Sequence, residues 1–493
     1  MRDDNDTDGH DTRVAVFDIG KTNVKLNVAT RTGTILETIS TPNATRDGPP
    51  YRHHDLAGQE AWLLDGLRTL ASRHRLGAFV ACGHGSGGVL VGEDGPAAPM
   101  VDYEQPLPGR IDRAYAGMAG PYLERGSPVM LGATHLARQM LWLEEEFPDA
   151  FARARWFLGL PQYWAWRLSG VAVSEVTILG AQSHLWNVPE GRPSALVGMR
   201  GWERLMPPFA PAWKPVGRLR PDLARRHGLP ADLPANLEVL AGIHDSSANF
   251  YRYQAAGHSD MTVVSTGTWI VGLSDRFDPA RLDESRGMTC NADAWGRPLA
   301  GALTMGGREF SRVAGTEGTG ERADAGLVAR LVAAGTMALP SFGDEDGMFP
   351  GSAGAGRIAG PPPETPAERR ALAVLYTALL TSVCLDALGS DRLVVLDGSF
   401  VRDPLYAGLV AAFRRTRHPG GETLFNLDSQ GTAAGSALLA DHDGRTAPVP
   451  IALETPPEPD LPGLADYRAR WLELARVPAT STISSTTTRL ETR

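Results

Sequence analysis

Two segments of this chain repeat one local device. The first is Val14-Ala15-Val16-Phe17-Asp18-Ile19-Gly20-Lys21-Thr22-Asn23-Val24-Lys25-Leu26; the second is Met261-Thr262-Val263-Val264-Ser265-Thr266-Gly267-Thr268-Trp269-Ile270-Val271. Each reads as an apolar strand, a tight turn rich in Gly and Thr, and a second strand. Such a turn aims several backbone N–H groups and hydroxyls at one spot, which suits a phosphate. Two copies half a chain apart imply a duplicated α/β scaffold that grips a nucleotide polyphosphate from both sides.

The rest of the sequence narrows the setting. At 493 residues the chain is too long for one core, and about two to four domains are expected. A net charge of −9 argues against nucleic acid or an anionic membrane as the main partner. It leaves a phosphate site open, because backbone N–H groups need no net positive charge. Cys82, Cys290 and Cys384 are isolated, so neither a disulfide framework nor a structural zinc site is indicated. The acidic start, Met1-Arg2-Asp3-Asp4, has no apolar signal-peptide core, and no run is read as a membrane span. A cytoplasmic enzyme is expected.

Residues 1–12 and 479–493 are expected to be disordered. Apolar spacing predicts helices over 59–74, 134–146, 162–168, 364–388 (amphipathic), 403–415 and 430–437, with Trp142, Trp164 and Trp166 in the core. Arg31-Thr32-Gly33 reads as a hairpin turn and 206–215 as a Pro-rich surface crossing. A strand over 237–241 runs into Gly242-Ile243-His244-Asp245, where a helix starts with Asp245 or Ser246 as N-cap. A domain boundary belongs there, giving 13–246 and 247–478.

Several segments carry candidate chemistry. Gly20-Lys21-Thr22 ends like a Walker A loop, but the position where that motif needs its first Gly is Ala15 inside a strand. Asp18, at the end of an apolar strand, suits Mg²⁺ held through water, with the turn N–H groups on the β/γ-phosphates. The plainer reading is a hairpin with Asp18 as a turn residue. Ser265, Thr266, Gly267 and Thr268 form the partner turn, with three hydroxyls able to donate to phosphate; the alternative is a Ser/Thr-rich bulge. Asp245 is placed to accept a proton from a substrate hydroxyl, or is only an N-cap. Gly83-His84-Gly85-Ser86-Gly87-Gly88 reads as a turn presenting His84 to a cleft. The cluster Asp102-Tyr103-Glu104 is of a kind that binds sugar hydroxyls, against the reading of a solvated loop. Asp397-Gly398-Ser399, with Gly431 to Gly435 beyond, reads as a flat slot for an adenine ring or as close strand–helix packing.

In this order the motifs resemble the FGGY family of carbohydrate kinases: Asp-Ile-Gly-Lys-Thr-Asn, then Gly-Ile-His-Asp, Ser-Thr-Gly-Thr-Trp, Asp-Gly-Ser and Gly-Thr-Ala-Ala-Gly, across roughly residues 13–475. The stretch Leu158 to Thr177 is similar to the family's N-terminal domain. The resemblance implies an α/β fold of two actin-like ATPase (ribonuclease H-like) domains with a cleft between them, sugar mainly on the first and ATP mainly on the second. It implies Asp245 as catalytic base, Asp18 and Asp245 on Mg²⁺, and Gly20, Lys21, Thr22, Asn23 and Ser265 to Thr268 as phosphate clamps. Gly307 borders the phosphates, Asp397, Gly398, Ser399 and Gly431 face the nucleotide, and His84, Gly85, Tyr103, Glu104 and His244 face the sugar. The His-Asp pair is similar to rhamnulokinases and fuculokinases, which phosphorylate O1 of a 6-deoxy ketose. The His84-Gly85 segment is similar to the xylulokinase substrate loop. Lys21 stands where many members have Thr or Ser, and Asp397 where a Gly is common. A homodimer is left open.

The leading expectation is therefore an ATP- and Mg²⁺-dependent phosphotransferase with an alcohol acceptor, acting on a ketose, a pentulose or a polyol. The competing readings are a phosphatase on the same scaffold and a nucleotide-hydrolysing actin-like chaperone or filament protein. A sugar-sensing repressor would need a DNA-binding module, which the acidic N-terminus does not offer.

Overall fold

The computed structural model of the chain describes residues 12–476 apart from Thr319 and Ser429. Residues 1–11 and 477–493, on which the expectation of disordered ends falls, lie outside the described residues. Two mixed sheets organise the molecule. The N-terminal sheet has seven strands. Arg13–Ile19 pairs antiparallel with Asn23–Ala29, which pairs with Ile35–Pro42; on its other side it pairs parallel with Leu76–Gly83. The C-terminal sheet has six strands and repeats the plan: Met261–Thr266 pairs antiparallel with Ile270–Ser274 and parallel with Leu393–Gly398. The central strands are apolar on both faces because helices cover both sides. The edge strand Ile35–Pro42 alternates half-buried and exposed, as a one-sided strand does.

Register aligns the two halves residue by residue. Asp18 is opposite Cys82, and Ser265 is opposite Asp397; one step on, Ile19 faces Gly83 and Thr266 faces Gly398. The duplication read from two short segments is thus a duplication of sheet topology.

The structure also corrects several expectations. The helix over 366–388 is not amphipathic: it is the central helix of the second half, buried on nearly all sides from Ala371 to Leu388. A capping box of Thr365 and Glu368 starts it and Gly389 ends it. Among the described residues it is the one helix long and apolar enough to cross a membrane, so the reading that no run reaches that length is corrected, but 94% of its apolar window is packed inside the protein. Trp142 and Trp164 are buried as expected, whereas Trp166 is only partly buried and packs against Arg167 and Tyr163. The helix Asp245–Ala255 begins one residue earlier than expected, with His244 at the N-cap position and no side-chain cap. Ile243–His244 is itself a short strand, paired parallel with Cys82–Gly83.

Helices Asp245–Ala255 and Gly431–Leu438 join the halves. Ala248, Tyr251, Ala433 and Ala437 share a core with Val14, Val16, Val80 and Cys82 of the N-terminal sheet. The small residues make this possible: a Cβ on Gly435 would lie 1.9 Å from the carbonyl oxygen of Ala248.

Candidate active site

A cavity of about 400 Å³ opens between the two sheets, lined by Asp18, Ser265, Thr266, Asp397, Gly398, Ser399 and Gly431. All seven were singled out in the sequence. Lys25, Asn27, Thr38, Asn249, Arg402, Gln430, Thr432 and Ala433 complete the wall and were not read as site residues. Lys25 is legible afterwards: register places it across from Asp18 on the strand after the turn. The turns themselves are closed by backbone bonds, Gly20 N–H to Asn23 O at 3.1 Å and Gly267 N–H to Trp269 O at 2.8 Å. Asn43 braces the first turn, its side chain donating to Gly20 O at 2.7 Å. Thr22 and Asn23 are exposed at its tip. Gly307 abuts the second turn, where a Cβ would come within 2.6 Å of Gly267 O.

Not every hydroxyl is available to a ligand. Thr266 Oγ1 donates to Asp397 O at 2.7 Å and accepts Phe400 N–H at 3.1 Å. The reading of three donor hydroxyls in this turn is corrected on that account. The Asp397 carboxylate is likewise tied down, accepting Tyr253 O–H at 2.7 Å and Gly398 N–H at 2.6 Å, while burial pushes its pKa up. Ser399 and Arg402 also border a second, larger cavity of about 640 Å³, with Phe310, Arg370, Phe400 and Tyr406 in its wall. Those residues come from well-separated segments, so no local sequence signal marks them.

Asp18 is half-buried, and among the described residues the hydrogen bond to its carboxylate comes from the Cys82 thiol, 3.8 Å from Oδ1. Burial lifts its pKa to about 6; Lys25 opposes this and the charge of Asp245 adds to it. Register brings Asp245 near both sides: it follows His244, which pairs with Gly83, and Gly83 lies between Cys82, opposite Asp18, and His84. Asp245 Oδ1 accepts Ser246 N–H at 2.5 Å and lies 3.1 Å from His244 Nε2. Oδ2 has no hydrogen-bond partner among the described residues. His244 is buried, which lowers its pKa against the pull of Asp245, and the imidazole is neutral near pH 7. Gly242, at φ +89°, makes the bend into this segment, and a side chain there would strike Ala81 O at 2.7 Å.

A supporting relay lies behind Asp245. Glu175 is fully buried and accepts from Thr177 N–H, Thr177 O–H and Ile178 N–H at 3.0, 2.5 and 3.2 Å; Thr177 Oγ1 in turn accepts the N–H of His244 at 2.9 Å. Burial lifts Glu175 to about 7 against those bonds.

On the acceptor side, the His84 ring is 5.1 Å from Tyr103 and 6.1 Å from His54. Both ring nitrogens of His84 and Nε2 of His54 are buried without a hydrogen-bond partner among the described residues. Burial holds each imidazole near pKa 4. Gly85 is packed against Ala181, where a Cβ would come within 2.6 Å. Lys21 does not point into the phosphate cavity: its ammonium pairs with Asp102 at 2.8 Å and Glu104 at 3.2 Å.

Among the described residues no group of three or more His, Cys, Asp or Glu is arranged to hold a metal. Asp18 and Asp245 are nevertheless a donor set that fits Mg²⁺, which binds through one or two carboxylates, waters and substrate phosphates.

This arrangement, two duplicated α/β halves with a cavity between their sheets that Asp18, Ser265 and Thr266 line while Gly20 to Asn23, Gly267 and Thr268 lie outside its wall, defines an actin-like phosphotransferase scaffold. The family model for the C-terminal domain of FGGY carbohydrate kinases matches residues 258–448. The crystal structure of a carbohydrate kinase from Novosphingobium aromaticivorans superposes with a TM-score of 0.82 at 31% identity, covering 94% of this chain and 99% of that one. The chain belongs to the FGGY family of carbohydrate kinases. A ligand-bound xylulose kinase from Lactobacillus acidophilus shares the fold, with a TM-score of 0.76 at 16% identity over 94% of this chain and 97% of that one. The L-fuculokinase of Salmonella typhi is 27% identical over 304 residues, 57% of this chain and 61% of the relative, so the match spans about three fifths of that curated protein.

Proposed function

We propose that this protein is an ATP-dependent carbohydrate kinase that transfers the γ-phosphate to a sugar hydroxyl, with O1 of a 6-deoxy ketohexose of the L-fuculose or L-rhamnulose type as acceptor. The observation that carries this reading is the position of Asp245. Its Oδ2 is uncommitted, and the residue directly follows His244, which pairs with Gly83, the residue between Cys82, opposite Asp18, and His84, whose ring nitrogens are buried and unpaired among the described residues. A hydroxyl-bearing acceptor satisfies those nitrogens and brings its O–H to Oδ2; water alone does not fill both roles. The L-fuculokinase relatives support the choice of sugar, and the xylulose kinase fold supports a pentulose as the second reading.

In this mechanism the N-terminal half (13–246) binds the sugar and the C-terminal half (247–478) the nucleotide. His84, His244, Tyr103 and Glu104 orient the acceptor, and Asp245 Oδ2 takes its proton as the oxygen attacks. The turns Gly20 to Asn23 and Ser265 to Thr268, closed by their own Gly20 and Gly267 N–H groups, present their remaining donors, with Lys25, to the β- and γ-phosphates. Asp18 and Asp245 would hold Mg²⁺, which neutralises phosphate charge. The larger cavity beside Ser399 and Arg402 takes the nucleoside, and closure of the halves excludes water.

The test is ADP release from Mg-ATP against a panel of ketoses, aldoses and polyols that includes L-fuculose, L-rhamnulose and the pentuloses. One strong acceptor is expected, a ketose. ADP release without any acceptor would favour a nucleotide-hydrolysing protein instead.

A further inference from the structure

Lys21 belongs by sequence to the phosphate turn, yet its ammonium lies 2.8 Å from Asp102 Oδ1, 3.2 Å from Glu104 Oε2 and 4.3 Å from the centre of the Tyr103 ring. Arg52 meets the same carboxylates from the other side, Nε at 3.2 Å from Asp102 Oδ2 and Nη1 at 3.8 Å from Glu104 Oε2. Two cations and two anions close a ring around the segment that carries Tyr103. Its members are unequal. The Asp102 side chain is 0% exposed, so its charge must be compensated where it stands. Glu104 is 51% exposed, and its contacts contribute little on their own.

Next to this ring lie the nitrogens of His84 and His54 that are unpaired among the described residues. Buried polar atoms seldom stay unpaired, so they mark where ligand groups go. A neutral imidazole offers one donor and one acceptor, which a hydroxyl matches. A carboxylate on the ligand would instead meet three acidic side chains, Asp102, Glu104 and Asp245, with both nearby cations already balanced.

We propose that Lys21 is a specificity-determining residue of the acceptor side: with Arg52 it balances Asp102 and Glu104, fixes the Tyr103 segment beside His84, and sets the pocket for an uncharged polyhydroxylated acceptor over an aldonate. This rests on the kinase reading above.

The test uses the full chain as wild type, Lys21→Met, Lys21→Arg and Glu104→Gln. Acceptor KM, Mg-ATP KM and kcat are measured with the best neutral acceptor and with gluconate, together with the thermal shift each compound produces. Lys21→Met is expected to raise the neutral-acceptor KM about tenfold, with Mg-ATP KM moving less than about threefold, and Lys21→Arg to recover most of the loss. Glu104→Gln leaves the ring with excess positive charge and is expected to narrow the preference over gluconate. A Lys21→Met enzyme with unchanged acceptor KM and thermal shift, or with its loss confined to Mg-ATP KM, overturns the proposal. A wild type that turns over no acceptor overturns the kinase reading instead; the thermal shifts then still judge the pocket, and a larger shift with gluconate than with neutral polyols overturns the role of Lys21.

Discussion

The Thr177 hydroxyl accepts the backbone N–H of His244 at 2.9 Å, joining two residues 67 positions apart. The same oxygen donates to the buried Glu175 carboxylate at 2.5 Å. The short strand before Asp245 is therefore held by a side chain from another part of the domain. Thr177→Val is expected to leave a buried N–H unpaired, lowering stability by about 1–3 kcal/mol and kcat with it, whereas Thr177→Ser keeps both bonds. Denaturant midpoints and kcat check this. A kcat unchanged in the valine variant would confine the relay to folding.

Asp245→Ala is expected to cut phosphoryl transfer by roughly 10²–10⁴-fold while ATP still binds, because it removes the proton acceptor and leaves the nucleotide wall intact. Turnover and ATP titration by calorimetry read the two halves of the claim. Near-normal turnover would remove Asp245 from the role of base.

Asp18→Ala is expected to raise the Mg²⁺ concentration needed for half-maximal rate. The carboxylate lines the cavity between the sheets, and among the described residues its hydrogen-bond partner is the Cys82 thiol. A metal titration of the rate decides it, and an unchanged curve counts against the assignment.

Gly435→Ala is expected to destabilise the protein by about 1–3 kcal/mol, since the new methyl would meet a helix backbone at 1.9 Å and must push two packed helices apart. Gly420→Ala, with nothing within 4 Å of the new atom, is the control and is expected to stay within about 0.5 kcal/mol. Equal melting curves for the two variants would contradict the tight helix contact.

His135 and His184 stack at 3.7 Å in the N-terminal half, and both are buried. His184 Nδ1 is 2.5 Å from Tyr115 Oη and Nε2 is 2.8 Å from Ser127 Oγ, whose own O–H donates to Pro128 O. Burial drives His135 to about 3 and His184 well below its usual value, with nearby Arg125 and Arg138 adding to both. An unfolded histidine takes up a proton near pH 6.5 and these do not, so the stability they contribute is present above that pH and lost as pH falls below it. For His135 the expected cost is about 2 kcal/mol by pH 5, and His184 acts in the same direction. Glu175, with a raised pKa, acts with the opposite sign over the same range. Denaturation at pH 7 and pH 5 in a Glu175→Gln background, with and without His135→Gln, isolates the effect. A fall of equal size in both would exclude His135 as a cause.

The two strand–turn–strand units were legible because strand, glycine and hydroxyl residues lie within a few positions of each other. Asp18, Ser265 and Thr266 were found in this way and share one cavity with Asp397 and Gly431. Lys25 and Arg402 were missed because a single cation on a strand or loop carries no pattern until register and folding aim it. The destination of Lys21 was also invisible: its neighbours in the chain are phosphate-turn residues, while its partners stand 81 and more positions away.

By itself the sequence determined the duplicated strand–turn–strand units, the helix following Asp245 and the family to which the chain belongs, since these depend on contacts between residues close in the chain. The tertiary structure decided which hydroxyls remain available, which carboxylates are paired and which imidazoles are left without partners. Those properties depend on burial and on charges brought together from distant segments, and a linear pattern does not record them.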